Sequence, residues 1–341
     1  MDNIEKSYKE IVVKIIDDIK NTQKSIFAGA NKNLLDLYYR IGEYIDNNAV
    51  YGNKFIDNLS MDIKLNFPNS KGFSARNLHN MHKYYKICKL DSILQTASAK
   101  LPWSHNMLIF DKIEDNNIRL WYINETAKAG WSYDTLAMQI KTDVYSRQVI
   151  NEKVNNYELV LPENTGKIAN ELMKDPYILN LTSLDADFIE RELENKMVEQ
   201  IKTVLIELGT GFSFVGSEYK VTLSDKDYYI DLLFYHTILH CYVAVELKNT
   251  EFEPEYIGKM NFYLTALDEK VKSDKDESSI GLILCRDKDR LTVEYALKDV
   301  NKPIGVSSYE IQKYLPKELS INLPSEEDIN IHLDFNHFES D

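Results

Sequence analysis

Cysteine is scarce in this chain. Its 341 residues include three, Cys88, Cys241 and Cys285, far apart in sequence. No Cys/His spacing points to a zinc site. Cys241 and Cys285 lie in apolar, strand-like runs, so buried free thiols in a reducing cytosol are expected. Long apolar runs are missing too. No stretch of about 18 uncharged apolar residues exists, which excludes a transmembrane helix. The first residues, MDNIEKSYKEIVVKIIDD, are charged throughout and contain no signal-peptide h-region. No internal repeats occur. These absences leave a cytoplasmic protein with no membrane partner as the expectation.

What is present fits two globular domains. The length favours two over one, and a content of 44% hydrophobic and 28% charged residues supports substantial cores. The net charge of −14 argues at first against nucleic acid. The halves differ, however. Residues 1–150 hold 20 Lys and Arg against 17 Asp and Glu, a net of +3, and the remainder holds 20 against 37, a net of −17. The asymmetry permits a nucleic-acid-facing first half.

That first half reads as all-helical. Ile4, Tyr8, Ile11, Ile15 and Ile19 recur at helical spacing, as do Leu34, Leu37, Tyr38, Ile41 and Ile45, with Gly29 near the break. A third helix is expected from Asn53 to Asn66, stopped by Pro68. From Lys64 to Leu90 no acid occurs at all. Ser74 is a good N-cap for a helix over 75–89, which would turn Leu78, Met81 and Tyr85 or Tyr84 inward and Arg76, Asn77, Asn80 and Lys83 outward. A turn before a basic, amide-bearing helix looks like a helix-turn-helix reading element, with Lys86 adding a further charge. A solvated basic face on a helical bundle is the alternative. Helical blocks follow around 102–112, 117–129 and 133–146, with Trp103, Trp121 and Trp131 expected in the core.

Residues 151–175 lack helical periodicity and are expected to connect the halves. A long helix is then predicted from Asp185 to Leu208, ended by Gly209 and Gly211. Strands follow at 212–215 and 219–223. After the central stretch come a helix from about Glu255, a strand over 280–285, a short helix over 291–298 and a strand over 304–307. The order predicts a mixed sheet covered on both faces. Residues 316–341 form an acidic tail.

The central stretch is YYIDLLFYHTILHCYVAVELK, Tyr228 to Lys248. Two apolar, β-rich runs flank a polar break, so a buried hairpin is predicted. Each strand carries one acid, Asp231 and Glu246. A desolvated carboxylate is costly without a partner. Lys248 shares a strand face with Glu246 because side chains alternate. Two acids and a lysine at strand ends point to a divalent cation with a charged catalytic group beside it. A buried salt bridge is the competing explanation. His236 and His240 bracket the turn and read as turn residues.

The same stretch resembles the PD-(D/E)xK nuclease superfamily. ELGTGFSFVGSEYKV, YYIDLLFYH, VAVELKNTEFEPEYIGKMNFYLTALD and KPIGVSSYE resemble the nuclease half of its YhcG-like bacterial branch. LLDLYYRIGEYI, GFSARNLHNMHKYY, LPWSHNMLI and GWSYDTLAMQI resemble that branch's helical half. The resemblance implies a helical domain over 1–150 and a restriction-endonuclease-like α/β domain over 176–315. It implies Mg²⁺, with Mn²⁺ able to substitute, on Asp231, Glu246 and the Leu247 carbonyl. Lys248 would then assist the attacking water, and Glu194 would supply a helix acid, unless it simply pairs with Lys196 or Lys202. Lys259 and Tyr263 stand where some superfamily members place Gln and Tyr. The tyrosine fits that pattern, and the lysine departs from it, either as a phosphate contact or as a plain surface residue. The expected activity is endonucleolytic hydrolysis, with DNA as the substrate, in DNA processing or defence. A homodimer would suit two cuts on a duplex. The rival expectation is a catalytically silent adaptor that recruits protein partners through its helical domain.

Overall fold

A computed structural model of the chain describes residues 29–48, 54–68, 71–181 and 188–312. The helix expected around Ile4–Ile19 and the acidic tail lie outside the described residues. The chain divides into two compact units at the Ala137–Met138 bond.

The first unit is helical: α1 (29–47), α2 (Phe55–Asn66), α3 (Ala75–Cys88), α4 (Ser92–Ser98), α5 (Trp103–Lys112) and α6 (Asn116–Ala129), with α7 (Tyr133–Lys141) crossing into the second. The Ser74 hydroxyl caps α3 by accepting from the Asn77 N–H at 3.3 Å. Leu78, Met81, Tyr84, Tyr85 and Cys88 form the buried face of α3, so both tyrosines turn inward. Trp103 lies among Tyr38 and Tyr84, with ring centroids 4.8 Å and 5.5 Å away. Burial of each such ring is worth roughly 1.5–3 kcal/mol. Gly42 lets α1 approach α3, since a Cβ there would stand 2.2 Å from the Met81 carbonyl oxygen. Trp121 and Trp131 are only half-buried. Residues 67–74 between α2 and α3 exceed the three or four residues of a helix-turn-helix turn. The basic helix packs with α2, α4 and α5 as one element of the helical unit.

The second unit is built on a seven-stranded mixed sheet. Its path runs β1 (Val154–Asn155), β7 (Ile304–Gln312), β6 (Ile280–Cys285), β5 (Cys241–Leu247), β4 (Lys226–His236) and β3 (Phe212–Leu223), and β2 (Tyr177–Asn180) also pairs with β7. β5, β6 and β7 are parallel, whereas β3–β4 and β4–β5 are antiparallel. On one face pack α8 (Tyr157–Val160), α9 (Glu163–Leu172), α10 (Glu190–Glu199) and α11 (Ile201–Leu208). On the other pack α12 (Glu255–Lys270) and α13 (Arg290–Leu297). Both faces of β5 and β6 are covered, which explains their unbroken apolar runs.

Several expectations change here. The supposed connector, 151–175, folds into the sheet unit as β1, α8 and α9. The Asn156 amide donates to the Val300 and Lys302 carbonyls at 3.0 Å each, and its carbonyl accepts from the Ile304 N–H at 2.8 Å. A two-residue strand and a one-turn helix are too short to show a period, so pattern reading passed over them. The long helix before β3 is two helices broken at Gln200, whose ψ of 32° leaves the helical range. The strands expected at 212–215 and 219–223 are one strand, β3, with an irregularity between Phe214 and Gly216. All three cysteines are buried free thiols, and burial pushes each up to about 12. Among the described residues no helix is long and apolar enough to cross a membrane.

Candidate metal centre

The pairing of β4 with β5 runs from His236–Cys241 to Leu232–Val245 and stops there. One step further the register would set Asp231 opposite Glu246. The strands part at that point, and a side chain takes the place of the ladder: the Leu247 N–H donates to Asp231 Oδ2 at 2.8 Å. On the other side of β4 the pairing with β3 also skips Asp231, opposite Glu218, whose φ is +42°. Asp231 thus sits at a break between three strands. Glu246 is 1% exposed.

Charges converge on this break. Lys248 Nζ lies 3.0 Å from Glu246 Oε1 and 3.0 Å from Glu190 Oε2, and donates to the Leu247 carbonyl at 2.9 Å. Lys259, on α12, bonds the same Glu246 Oε1. Glu246 Oε2 is buried and has no hydrogen-bond partner. Burial, and then the neighbouring Glu246 charge, push the Asp231 carboxyl up to about 7, against the pull of the Leu247 N–H and both lysines. Burial alone would lower the Lys248 ammonium, but Glu246 and Glu190 outweigh it and raise the group. Lys259 shows the same balance, with Glu246 overcoming burial.

The remaining sequence-predicted residues divide into two groups. Glu194 belongs with the acids: burial raises its carboxyl, and so do the charges of Glu218 and Glu246. Lys196, its expected partner, pairs instead with Glu199 at 2.6 Å. The Tyr263 hydroxyl donates to the Tyr229 carbonyl at 2.5 Å, and its ring flanks Lys259, 5.4 Å from Nζ to the centroid. Tyr263 therefore faces Lys259 with its ring and β4 with its hydroxyl, so it positions a neighbour. His236 is buried at the hairpin end, where Nδ1 accepts from the Leu239 N–H at 3.1 Å.

The candidates on α3 belong to the helical unit. Arg76 and Lys86 are exposed and Asn80 is half-buried. Lys83 pairs with Asp111 at 2.6 Å, an acid from outside the acid-free run. Asn77 does not face out. Its amide donates to the Gly72 carbonyl at 2.5 Å and its carbonyl accepts from Trp103 Nε1 at 2.8 Å.

Sequence reasoning missed Glu190. Its Oε1 accepts from the Asn249 N–H at 3.2 Å while Oε2 holds Lys248. The signal was available: Glu190 and Glu194 are four apart, one above the other on α10.

Among the described residues no three His, Cys, Asp or Glu side chains gather at metal-ligand distance. Two carboxylates and a main-chain carbonyl nevertheless suit a small hard cation, which keeps several of its own waters. The unpartnered Glu246 Oε2 is the atom such an ion would satisfy. The residues present fit the group.

Residues 170–324 match the YhcG PDDEXK nuclease domain, and residues 14–147 match the DUF1016 N-terminal domain. YhcG of Escherichia coli (strain K12), a protein provisionally named as a nuclease, is 27% identical over 348 residues, covering 91% of this chain and 92% of that one. A repair endonuclease from Pyrococcus abyssi is similar at 15% identity over 38% of this chain and 50% of its own, with a TM-score of 0.25. EndoMS in complex with double-stranded DNA is similar at 14% identity over 38% and 49%, with a TM-score of 0.26. The chain spans about half the length of each of these two structures. With a DUF1016 N-terminal domain and a YhcG PDDEXK nuclease domain matched in order along it, the chain is similar to the YhcG-like PD-(D/E)xK nucleases over both halves.

Proposed function

We propose that the protein is a divalent-metal-dependent endonuclease acting on DNA, with Asp231, Glu246 and the Leu247 carbonyl as the ion's protein ligands and Mg²⁺ as the ion. The observation that carries this reading is the break in the β4–β5 ladder. It leaves two acids side by side, one with a buried unpartnered oxygen, beside a fixed ammonium. A bound ion would activate water and offset charge on the phosphate. Lys248 is held in three directions by Glu246, Glu190 and its own strand, so its ammonium is placed before the reaction for water or a phosphoryl oxygen. Glu194 completes the acidic wall, and Tyr263 steers Lys259. Arg76, Lys83 and Lys86 of α3 supply positive charge for the DNA backbone, with the half-buried Asn80 amide beside them.

One observation favours a second reading. Glu246 already holds two ammoniums, as a purely structural ion cluster would. A panel of linear, branched and single-stranded DNA, incubated with and without Mg²⁺, separates the two. Metal-dependent cleavage by the wild type that Asp231→Asn abolishes supports the enzyme, and no cleavage of any substrate supports the silent binder.

A further inference from the structure

Glu246 Oε1 is shared by two lysines that are anchored very differently. Lys248 is 12% exposed and has three oxygen partners, Glu246, Glu190 and Leu247, and it stands over the Tyr256 ring at 5.4 Å. Lys259 is 43% exposed, reaches in from α12 on a flexible four-carbon stem, and has Glu246 as its ion-pair partner. One lysine is built into the strand end, and the other is tethered through a single carboxylate with solvent behind it. A dication seated on Asp231 and Glu246 repels both ammoniums and draws on the same carboxylate charge that binds them. A cation cannot ligate a cation. Lys248 has the Glu190 and Leu247 oxygens to hold it in place beside Glu246, whereas Lys259 has, beside Glu246, the Tyr263 side chain.

We propose that Lys259 is a displaceable internal counter-ion: it competes with the divalent ion for Glu246, and once displaced its ammonium binds a phosphate of the substrate strand lying over the ion. The inference rests on the metal-site reading of Asp231 and Glu246 and adds to it a coupling. Ion loading releases a phosphate-binding group, so metal and nucleic acid favour each other's binding. The rings beside Lys259 fit this role. Tyr263, pinned to β4 through its hydroxyl, gives the stem a fixed wall, with the ammonium 5.4 Å from the ring centroid. Glu246 does not become an unpaired buried charge when Lys259 leaves, because Lys248 stays 3.0 Å away. For the same reason a Lys259 variant should remain folded.

The test is an Mn²⁺ titration of wild type, Lys259→Met and Lys259→Arg, followed by electron paramagnetic resonance or calorimetry, with melting curves alongside. Removing the competitor should tighten Mn²⁺ binding in Lys259→Met by about tenfold or more, and Lys259→Arg should bind like wild type. In a second arm, Ca²⁺ should strengthen binding of a short DNA duplex by the wild type and strengthen it much less in Lys259→Met. Mn²⁺ affinity unchanged or weakened in Lys259→Met, with wild-type binding intact, overturns the counter-ion role and leaves the metal site standing. Absence of Mn²⁺ binding in all three proteins overturns the metal site and the counter-ion role together.

Discussion

Asp46 in the helical unit has its carboxyl held down to about 2 by hydrogen bonds from Lys89 and then His82, whereas Asp231 in the sheet unit is pushed up to about 7 by burial and then by Glu246. The contrast extends to the pairs around them. Lys83–Asp111 lies on the surface of the helical unit. Arg147–Glu207 is buried in the sheet unit, with the Ile178 N–H on the same Glu207 oxygen at 2.9 Å. In the helical unit these acids meet their cations at the surface, so the ionised form is comfortable. In the sheet unit an acid lies at a ladder break, next to another acid, and its ionised form is costly. Such a site gains most from an added cation.

The strongest way to break this contrast is at Asp231. Asp231→Asn keeps the shape and the Leu247 contact while removing the charge. Mn²⁺ titration should show binding lost, with a melting temperature equal to or above wild type. Retained affinity would make Asp231 no different in kind from Asp46.

Next in size is Glu207→Ala. It leaves Arg147 buried without its carboxylate, and unfolding in urea should show a loss of roughly 3–5 kcal/mol. The surface counterpart, Asp111→Ala, should change stability by about 0–1 kcal/mol. Equal effects at the two positions would remove the distinction.

The pH responses should run in opposite directions. Asp46 has a folded value of about 2, below the ordinary aspartate value of 3.8, so its contribution is present above 3.8 and is lost as pH falls towards 2. Asp231 has a folded value near 7, above 3.8, so the folded state holds the extra proton between them, and stability falls as pH rises through that window. Carboxyl carbon chemical shifts, followed from low to neutral pH with a chelator present, would read both groups directly.

The smallest effects belong to α3. Arg76→Ala and Lys83→Ala should each flatten the salt dependence of DNA binding by a slope of about 0.9, without altering the fold. An unchanged slope would make the basic row a solvated face.

Much of the sheet unit was legible because its signals are local. The Tyr228–Lys248 hairpin announces itself by two β-rich runs, and the acids stand out because nothing else in those runs is charged. The fate of a single amide was not legible. Asn77 has the spacing of an outward residue, but the turn at Gly72 and the Trp103 indole claim it, and both contacts depend on tertiary packing. Lys259 was visible only as a departure from a pattern, because its partner is 13 residues away on another element. The Glu190 signal was easily passed over, because a helix start is where acids commonly sit for electrostatic reasons alone.

Lys248 carries the central claim most directly, since it separates a catalytic cluster from a structural one. Cleavage and thermal melting should be measured on Lys248→Ala with Mg²⁺ present. The expected result is a folded protein that still binds Mn²⁺ and DNA and whose cleavage rate is lower by about 10²–10³ or more. A melting temperature drop corresponding to roughly 3–5 kcal/mol, or cleavage at the wild-type rate, would contradict it.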